Sequence, residues 1–258
     1  MLSKSQISLV KSLHQKKFRK EEGLFVAEGE KIVTELLASS LDVKKVFALD
    51  SFIQQQVAKK KSAVEWIEVS EAELKKISSL AAPNKALALA VIPAYRLDTD
   101  AIKNSISLIL DDISDPGNLG TIIRIADWFG IGTILCSIDT ADCYNAKVVQ
   151  ASMGSLFRTK IHYTDLNIFL EENSRMLKLH VYGTMLKGED IYSAALSSAG
   201  LIVIGSESNG IRDDLKKYFT KSLFIPSFSS ADNNASPDSL NAAVATAITC
   251  SEFRRRQK

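Results

Sequence analysis

The sequence predicts an α/β fold built around a mostly parallel sheet, and three observations predict it. Continuous apolar runs such as ISLILDD (106–112) and LIVIGSES (201–208) read as strands buried on both faces, as parallel strands are. Helical patterns separate most of these runs, which is how helices come to cover both faces of such a sheet. Three runs finish in loops of small and polar residues, DDISDPGNLG, GSESNG and IPSFSSADNN, and ligands of open α/β sheets bind beyond the carboxyl ends of strands.

A chain of 258 residues is long for a single core, so two domains are expected. In the first, EGEKIVTELLASS sets Ile32, Val33, Leu36 and Leu37 on one helical face. VKKVFAL reads as a short strand, and SFIQQQVAKKKS as a helix ending in lysines, which the helix dipole favours. AVEWIEVS alternates like a strand, SEAELKKISSL opens with a serine cap followed by acids, and ALALAVIP closes the unit as another strand. The polar, proline-bearing PAYRLDTDAIKNS supplies a linker, which gives domains at 1–95 and 106–258 joined by 96–105. After it come ISLILDD, GTILCS, LHVYGTM, LIVIGSES and SLFIPS as strands.

Composition excludes more than it selects. Hydrophobic residues make up 46% and charged residues 24%, ordinary for a globular protein, and the net charge of +2 does not by itself argue for nucleic acid. The basic stretch KSLHQKKFRK (11–20) holds five Lys or Arg and no acid, and the chain ends in EFRRRQK; each fits a phosphate grip or a solvated helix face. Cys136, Cys143 and Cys250 form no CxxC pair, so a disulfide framework is not expected. With three histidines and no HExxH or Cys/His cluster, neither is a metal site. No apolar run approaches the roughly 20 residues that span a bilayer, and the start of the chain carries no apolar signal core, so a cytoplasmic protein is expected.

The loops carry the chemistry. PGNLG opens a helix but lacks GxGxxG, and no GxxxxGK[ST] occurs, so neither a Rossmann nor a P-loop site is indicated. The helix that follows places Ile122, Ile125, Ala126 and Phe129 on its core face, with Gly130 as its stop. Arg124 lies off that face, either a surface residue pairing with Asp127 or a cation put to use. In GSESNG, Glu207 either meets a ligand or caps the helix start at IRDDLKK. SPDSLNAAVATAITC starts a helix that Ser236 or Asp238 can cap, with Pro237 in its first turn and Ala243, Ala247 and Cys250 spaced for close packing. Ser239 and Asn241 are poor interior residues there and can bond their own turn.

Taken in order, Asn118 and Arg124 in GNLGTIIR, Glu207 in GSESNG, and Ser239 and Asn241 in SLNAAVATAI resemble the three motifs of the SpoU-type (TrmH-like) RNA 2′-O-ribose methyltransferases of the SPOUT superfamily. YNAKVVQASMGSLFR (144–158) resembles that family's segment between its first two motifs. GLFVAEGEKIVTELL resembles its N-terminal RNA-binding domain, of ribosomal-protein-L30e-like fold. The resemblance implies a catalytic domain with a deep trefoil knot, an exception to the rule against threaded chains, and an obligate homodimer. It implies S-adenosyl-L-methionine as cofactor, touching Gly205, Ile225, Leu240 and Thr184. The partner the resemblance implies is RNA, ribosomal before transfer, and the implied reaction methylates a ribose 2′-hydroxyl. Two departures stand out. Pro226 and Ser239 lie thirteen positions apart, a longer connector than the family's, and PNKALALAV replaces a more glycine-containing turn.

On this reading Arg124 stabilises developing alkoxide and grips a phosphate, in its own subunit or across the dimer, rather than acting as a base, because guanidinium stays protonated. Asn118 and Asn241 orient, Ser239 supports the arginine or substrate, and Glu207 anchors the arginine or a loop amide. Lys16, Lys17 and Arg19 become candidate RNA contacts, as do Arg254 to Arg256. The competing class is a non-catalytic RNA-binding or ribosome-assembly factor that keeps the fold, favoured only by the altered third-motif loop. A small-molecule nucleotide enzyme leaves both the first domain and the missing phosphate loop unexplained.

Overall fold

The computed structural model describes residues 2–56, 64–228 and 239–257. The chain divides into two compact units, one of residues 1–94 with 142–158 and the other of 95–141 with 159–258. Residues 142–158, expected with the second domain, thus pack with the first.

The first unit holds α1 (Lys4–Ser12), α2 (Lys16–Glu22), β1 (Leu24–Glu28), α3 (Glu30–Ala38), β2 (Val43–Ala48), α4 (Asp50–Gln56), β3 (Glu65–Glu68), α5 (Glu71–Ile77), β4 (Ala86–Val91) and α8 (Ala146–Ser152). Its sheet runs β1-β4-β2-β3, with β4 antiparallel to both neighbours and β2 parallel to β3. Alternation along β4 points Leu87 and Leu89 into a core with Val10, Leu13, Phe47, Leu74 and Ile77. Each such side chain contributes about 1.5–3 kcal/mol by leaving water. On α3 the four expected residues are all buried. Ser70 forms a capping box with Glu73 at the start of α5.

What draws 142–158 into this unit is aromatic and ionic. Phe25, fully buried, packs its ring 4.9 Å from Tyr144 and 6.2 Å from Phe157. Arg19, 2% exposed, donates to Asp142 at 2.6 Å and to the Leu13 carbonyl at 2.8 Å. A buried arginine needs such a partner, so Arg19 is a structural cation and not the RNA contact that its basic neighbourhood implied.

The second unit is a wholly parallel six-stranded sheet in the order β10-β8-β9-β5-β6-β7: β5 (Ile106–Asp111), β6 (Thr133–Cys136), β7 (Lys160–Tyr163), β8 (Val181–Asp190), β9 (Gly200–Gly205) and β10 (Lys221–Phe224). All six residues of β5 are buried, as a central parallel strand requires. On one face lie α6 (Thr99–Lys103), α9 (Leu166–Glu172) and α10 (Asp213–Lys216), whose Ile102, Leu166, Phe169, Leu170 and Leu215 share a core with Ile109, Val181 and Val203. Ile102 is fully buried, so the expected linker 96–105 contains a docked helix.

Alternation turns Tyr182 to the opposite face, where its ring meets Phe253 of α11 (Ala242–Arg255) edge-on at 5.0 Å. Here α11 packs against α7 (Pro116–Trp128). The buried stripe of α7 is Leu119, Ile122, Ile123 and Ala126; it keeps Ile122 and Ala126 of the expected set but replaces Ile125 and Phe129, a rotation of about 60° about the helix axis. Gly130 ends the helix at φ +64, and Arg254 donates to the Phe129 carbonyl at 2.7 Å and the Gly130 carbonyl at 3.2 Å. Arg255 and Arg256 both grip Glu252, and Arg256 also donates to the Ile191 and Ala194 carbonyls. These arginines are thus engaged within their own unit and do not form the free phosphate grip expected of them. No described helix is long and apolar enough to cross a membrane.

Candidate active site

Every strand of the second sheet points the same way, so the loops after β5, β8, β9 and β10 emerge along one edge. After β5, Asp115 caps α7 by accepting from the Asn118 amide at 2.7 Å, with Pro116 in the first turn. That fixes Asn118 at the mouth of the helix. After β9 the chain folds back on itself, Ser206 and Gly210 exchanging backbone hydrogen bonds at 3.2 and 2.9 Å. A Cβ on Gly205 would stand 2.3 Å from the Gly210 carbonyl carbon, so this tight return requires glycine. Glu207 is presented at its tip.

The third contributor is Asn241. Helix α11 starts at Ala242, later than expected, and Asn241 is its cap, accepting from the amides of Ala243 at 3.0 Å and Val244 at 3.3 Å. Ser236, Pro237 and Asp238 lie outside the described residues.

The three side chains meet. Glu207 Oε1 accepts from Asn118 Nδ2 at 3.0 Å, from the Ala242 amide at 3.0 Å and from Asn241 Nδ2. Asn241 Nδ2 also donates to Asn118 Oδ1 at 3.0 Å. One carboxylate oxygen therefore joins the amino ends of α7 and α11, where helix dipoles favour negative charge. Both asparagines have their amide orientation dictated by the network. Glu207 thus holds the first amide of α11 and makes no hydrogen bond to Arg124.

Not every expected residue joins them. Arg124 follows Asn118 by six residues, which turns it about 240° round α7 and moves it about 9 Å along the axis. It is exposed and makes no hydrogen bond or ion pair among the described residues, the expected Asp127 pair included. Ser239 is exposed beside the cluster, and Leu240 is 44% exposed. Thr184 sits on β8 and donates to the Val203 carbonyl at 2.9 Å, while Ile225 follows β10 directly. Thr184 follows Gly183, the β8 residue paired with Val203 of β9, whereas Ile225 follows Phe224, which pairs with Asp190 at the far end of β8.

One residue escaped the sequence reading. Asp111, fully buried at the end of β5 and paired with Gly205, accepts from the Arg212 amide at 2.9 Å and from Arg212 Nε at 2.8 Å. It clamps both ends of the Glu207 loop. An acid closing an otherwise apolar strand was its only signal. Elsewhere in the unit, hydrogen bonds from Arg255 and then Arg256 lower the Glu252 carboxyl from an ordinary 4.5 to about 2.

Known proteins share both halves of this chain. Residues 105–251 match the SpoU rRNA Methylase family, and residues 4–88 match the MRM3-like substrate binding domain. The chain is 30% identical over 245 residues to the 23S rRNA (guanosine(2553)-2′-O)-methyltransferase RlmP of Bacillus subtilis, covering 95% of this chain and 94% of that one. An AdoMet-bound rRNA methyltransferase structure from Sinorhizobium meliloti superposes with a TM-score of 0.87 at 29% identity, covering 100% of this chain and 97% of its own. A TrmH-family protein from Porphyromonas gingivalis superposes with a TM-score of 0.89 at 35% identity, covering 99% of each.

Proposed function

We propose that this chain, which belongs to the SpoU rRNA methylase family, transfers a methyl group from S-adenosylmethionine to a ribose 2′-hydroxyl of ribosomal RNA. The observation that carries the reading is the convergence of Asn118, Glu207 and Asn241, from three separate loops, on one carboxylate oxygen. The residues assigned to the cofactor share this edge of the sheet: Thr184 lies on β8, next to the strand that ends at Gly205, Ile225 follows β10 one strand further out, and Leu240 offers exposed apolar surface to a purine. When bound, S-adenosylmethionine supplies an electrophilic methyl carbon on a sulfonium.

The chain's own task is geometry and charge. Asn118, Glu207 and Asn241 fix the loops so that the ribose oxygen is held in line, and such positioning is worth up to about 7–11 kcal/mol of barrier. Arg124 stabilises the oxygen as it loses its proton, which leaves through RNA phosphate or water, because a guanidinium does not act as a base at neutral pH. Ser239 supports the arginine or the ribose.

Arg124 shares the solvent face of α7 with Thr121 and with Trp128, which is 84% exposed. Alongside, a hollow of about 470 Å³ lined by Phe129, Tyr192 and Ile248 opens on α11. An exposed tryptophan beside an apolar hollow favours cover by another chain. The reading is a homodimer in which Arg124 serves the partner's site. The C-terminal part of the chain carries the trefoil knot, the first unit (residues 1–94 with 142–158) is an L30e-like substrate-binding domain, and Lys16 and Lys17, both exposed, touch RNA phosphate. The protein acts in the cytoplasm. Incubation with tritiated S-adenosylmethionine and deproteinised ribosomal RNA tests the function. Label retained in an alkali-resistant dinucleotide supports it; label absent, or in a base, refutes it.

A further inference from the structure

We propose that a hollow in the first unit binds one unpaired guanine nucleotide of the RNA substrate; the inference rests on the methyltransferase reading and deepens it. The cavity, about 330 Å³, lies between the end of β2, helix α5 and the turn into β4. Its floor is Leu49, Leu74 and Pro83, with Leu74 only 2% exposed. Its rim is Glu71, Lys75, Asn84 and Lys85. That volume accommodates a single base, and an apolar floor under a polar rim is the form in which splayed-out RNA bases are read.

Three of the four rim side chains are uncommitted while the backbone beneath them is fixed. Glu71, Lys75 and the Asn84 side chain make no hydrogen bond or ion pair among the described residues. The turn itself is tied down. Glu28, 4% exposed, accepts from the hydroxyls of Ser78 and Ser79 and from the Ser79 amide at 3.1 Å. Lys85 adopts φ +54, a conformation that disfavours a side chain. It is held there by its carbonyl accepting from the Leu49 amide at 2.9 Å and by its ammonium pairing with Glu30 at 2.8 Å. A lysine kept in a strained conformation and pinned by Glu30, at the edge of a hollow whose other polar side chains lack protein partners, fits a site shaped for a ligand.

The rim's chemistry selects the base. A carboxylate accepts only, with two oxygens side by side, and guanine alone presents two adjacent donors, N1–H and N2–H, on its pairing edge. Glu71 takes that pair, the Asn84 amide donates to O6, and Lys75 meets the flanking phosphate.

Amide spectra of the full 15N-labelled chain, titrated with the four ribonucleoside 5′-monophosphates separately, test the site. Guanosine monophosphate is expected to shift the Leu49, Lys75, Asn84 and Lys85 amides at least fivefold more than the others. Equal response to all four, or shifts confined elsewhere, overturns the proposal. In methyl transfer to deproteinised ribosomal RNA, Glu71→Gln and Asn84→Ala should each raise the RNA KM about tenfold while kcat and cofactor affinity stay within twofold. An unchanged KM in an active enzyme overturns the site and leaves the methyltransferase reading standing. Selective guanine shifts in a chain that methylates no RNA support the site and refute that reading.

Discussion

Replacing Glu207 by alanine removes the acceptor that three donors share: Asn118 Nδ2, Asn241 Nδ2 and the Ala242 amide. Sheltered hydrogen bonds to a charged group are worth about 1.5–3 kcal/mol each, but Glu207 and Asn241 are exposed, and water replaces part of what is lost. About 0.5–1 kcal/mol per bond is the appropriate scale, hence roughly 1.5–3 kcal/mol in all. For a unit of this size that lowers the melting temperature by about 4–10 °C. Activity falls further, because both asparagines lose a fixed reference, and a 1 Å displacement of a positioning group costs about 10²-fold. Glu207→Gln keeps a neutral acceptor and should lose about half the melting shift. Scanning calorimetry and tritiated methyl transfer to ribosomal RNA read the two effects. An alanine variant that melts within about 1 °C of the parent and turns over within twofold refutes the idea that this oxygen assembles the site.

Three other substitutions probe separate parts of the argument. Arg124→Ala should lower methyl transfer by at least about 10²-fold with little change in melting, since its exposed side chain makes no hydrogen bond or ion pair among the described residues; co-expression with Asn241→Ala should restore activity if the arginine serves a partner subunit, and failure to restore it places the residue in its own site. Asp142→Ala strands the buried Arg19 charge and should cost about 3–5 kcal/mol in urea unfolding, whereas a loss below about 1 kcal/mol would mean that the pair is dispensable. Glu252 titrates at about 2 in the folded chain, below its ordinary 4.5, so its contribution to stability is complete above about pH 4.5 and fades as pH falls towards 2. Glu252→Gln should therefore flatten the acid limb of the stability profile relative to the parent, and an unchanged limb refutes the assignment.

Local patterns were legible in the sequence, and distant partners were not. The stripe on α3, the capping box at Ser70 and the buried run of β5 depend on neighbours within a few residues, and each was readable. Strand β7 went unread because KIHY is four residues long and only partly buried. On α7, apolar residues occupy both candidate stripes, and only the packing of α11 chooses Leu119 and Ile123 over Ile125 and Phe129. Arg19 looked like its lysine neighbours because the acid that buries it lies 123 positions away. At the site, resemblance to three ordered motifs nominated Asn118, Glu207 and Asn241, but not that they would bond one another, nor that Asp111 would secure the loop between them.

Because the first unit completes itself with residues 142–158, it is not a detachable cassette. A graft of residues 1–94 onto another enzyme would arrive with Phe25 stripped of its aromatic cover and Arg19 stripped of its counter-charge. A transplant of this recognition unit that keeps its packing must therefore carry two stretches of the chain at once, residues 1–94 and 142–158.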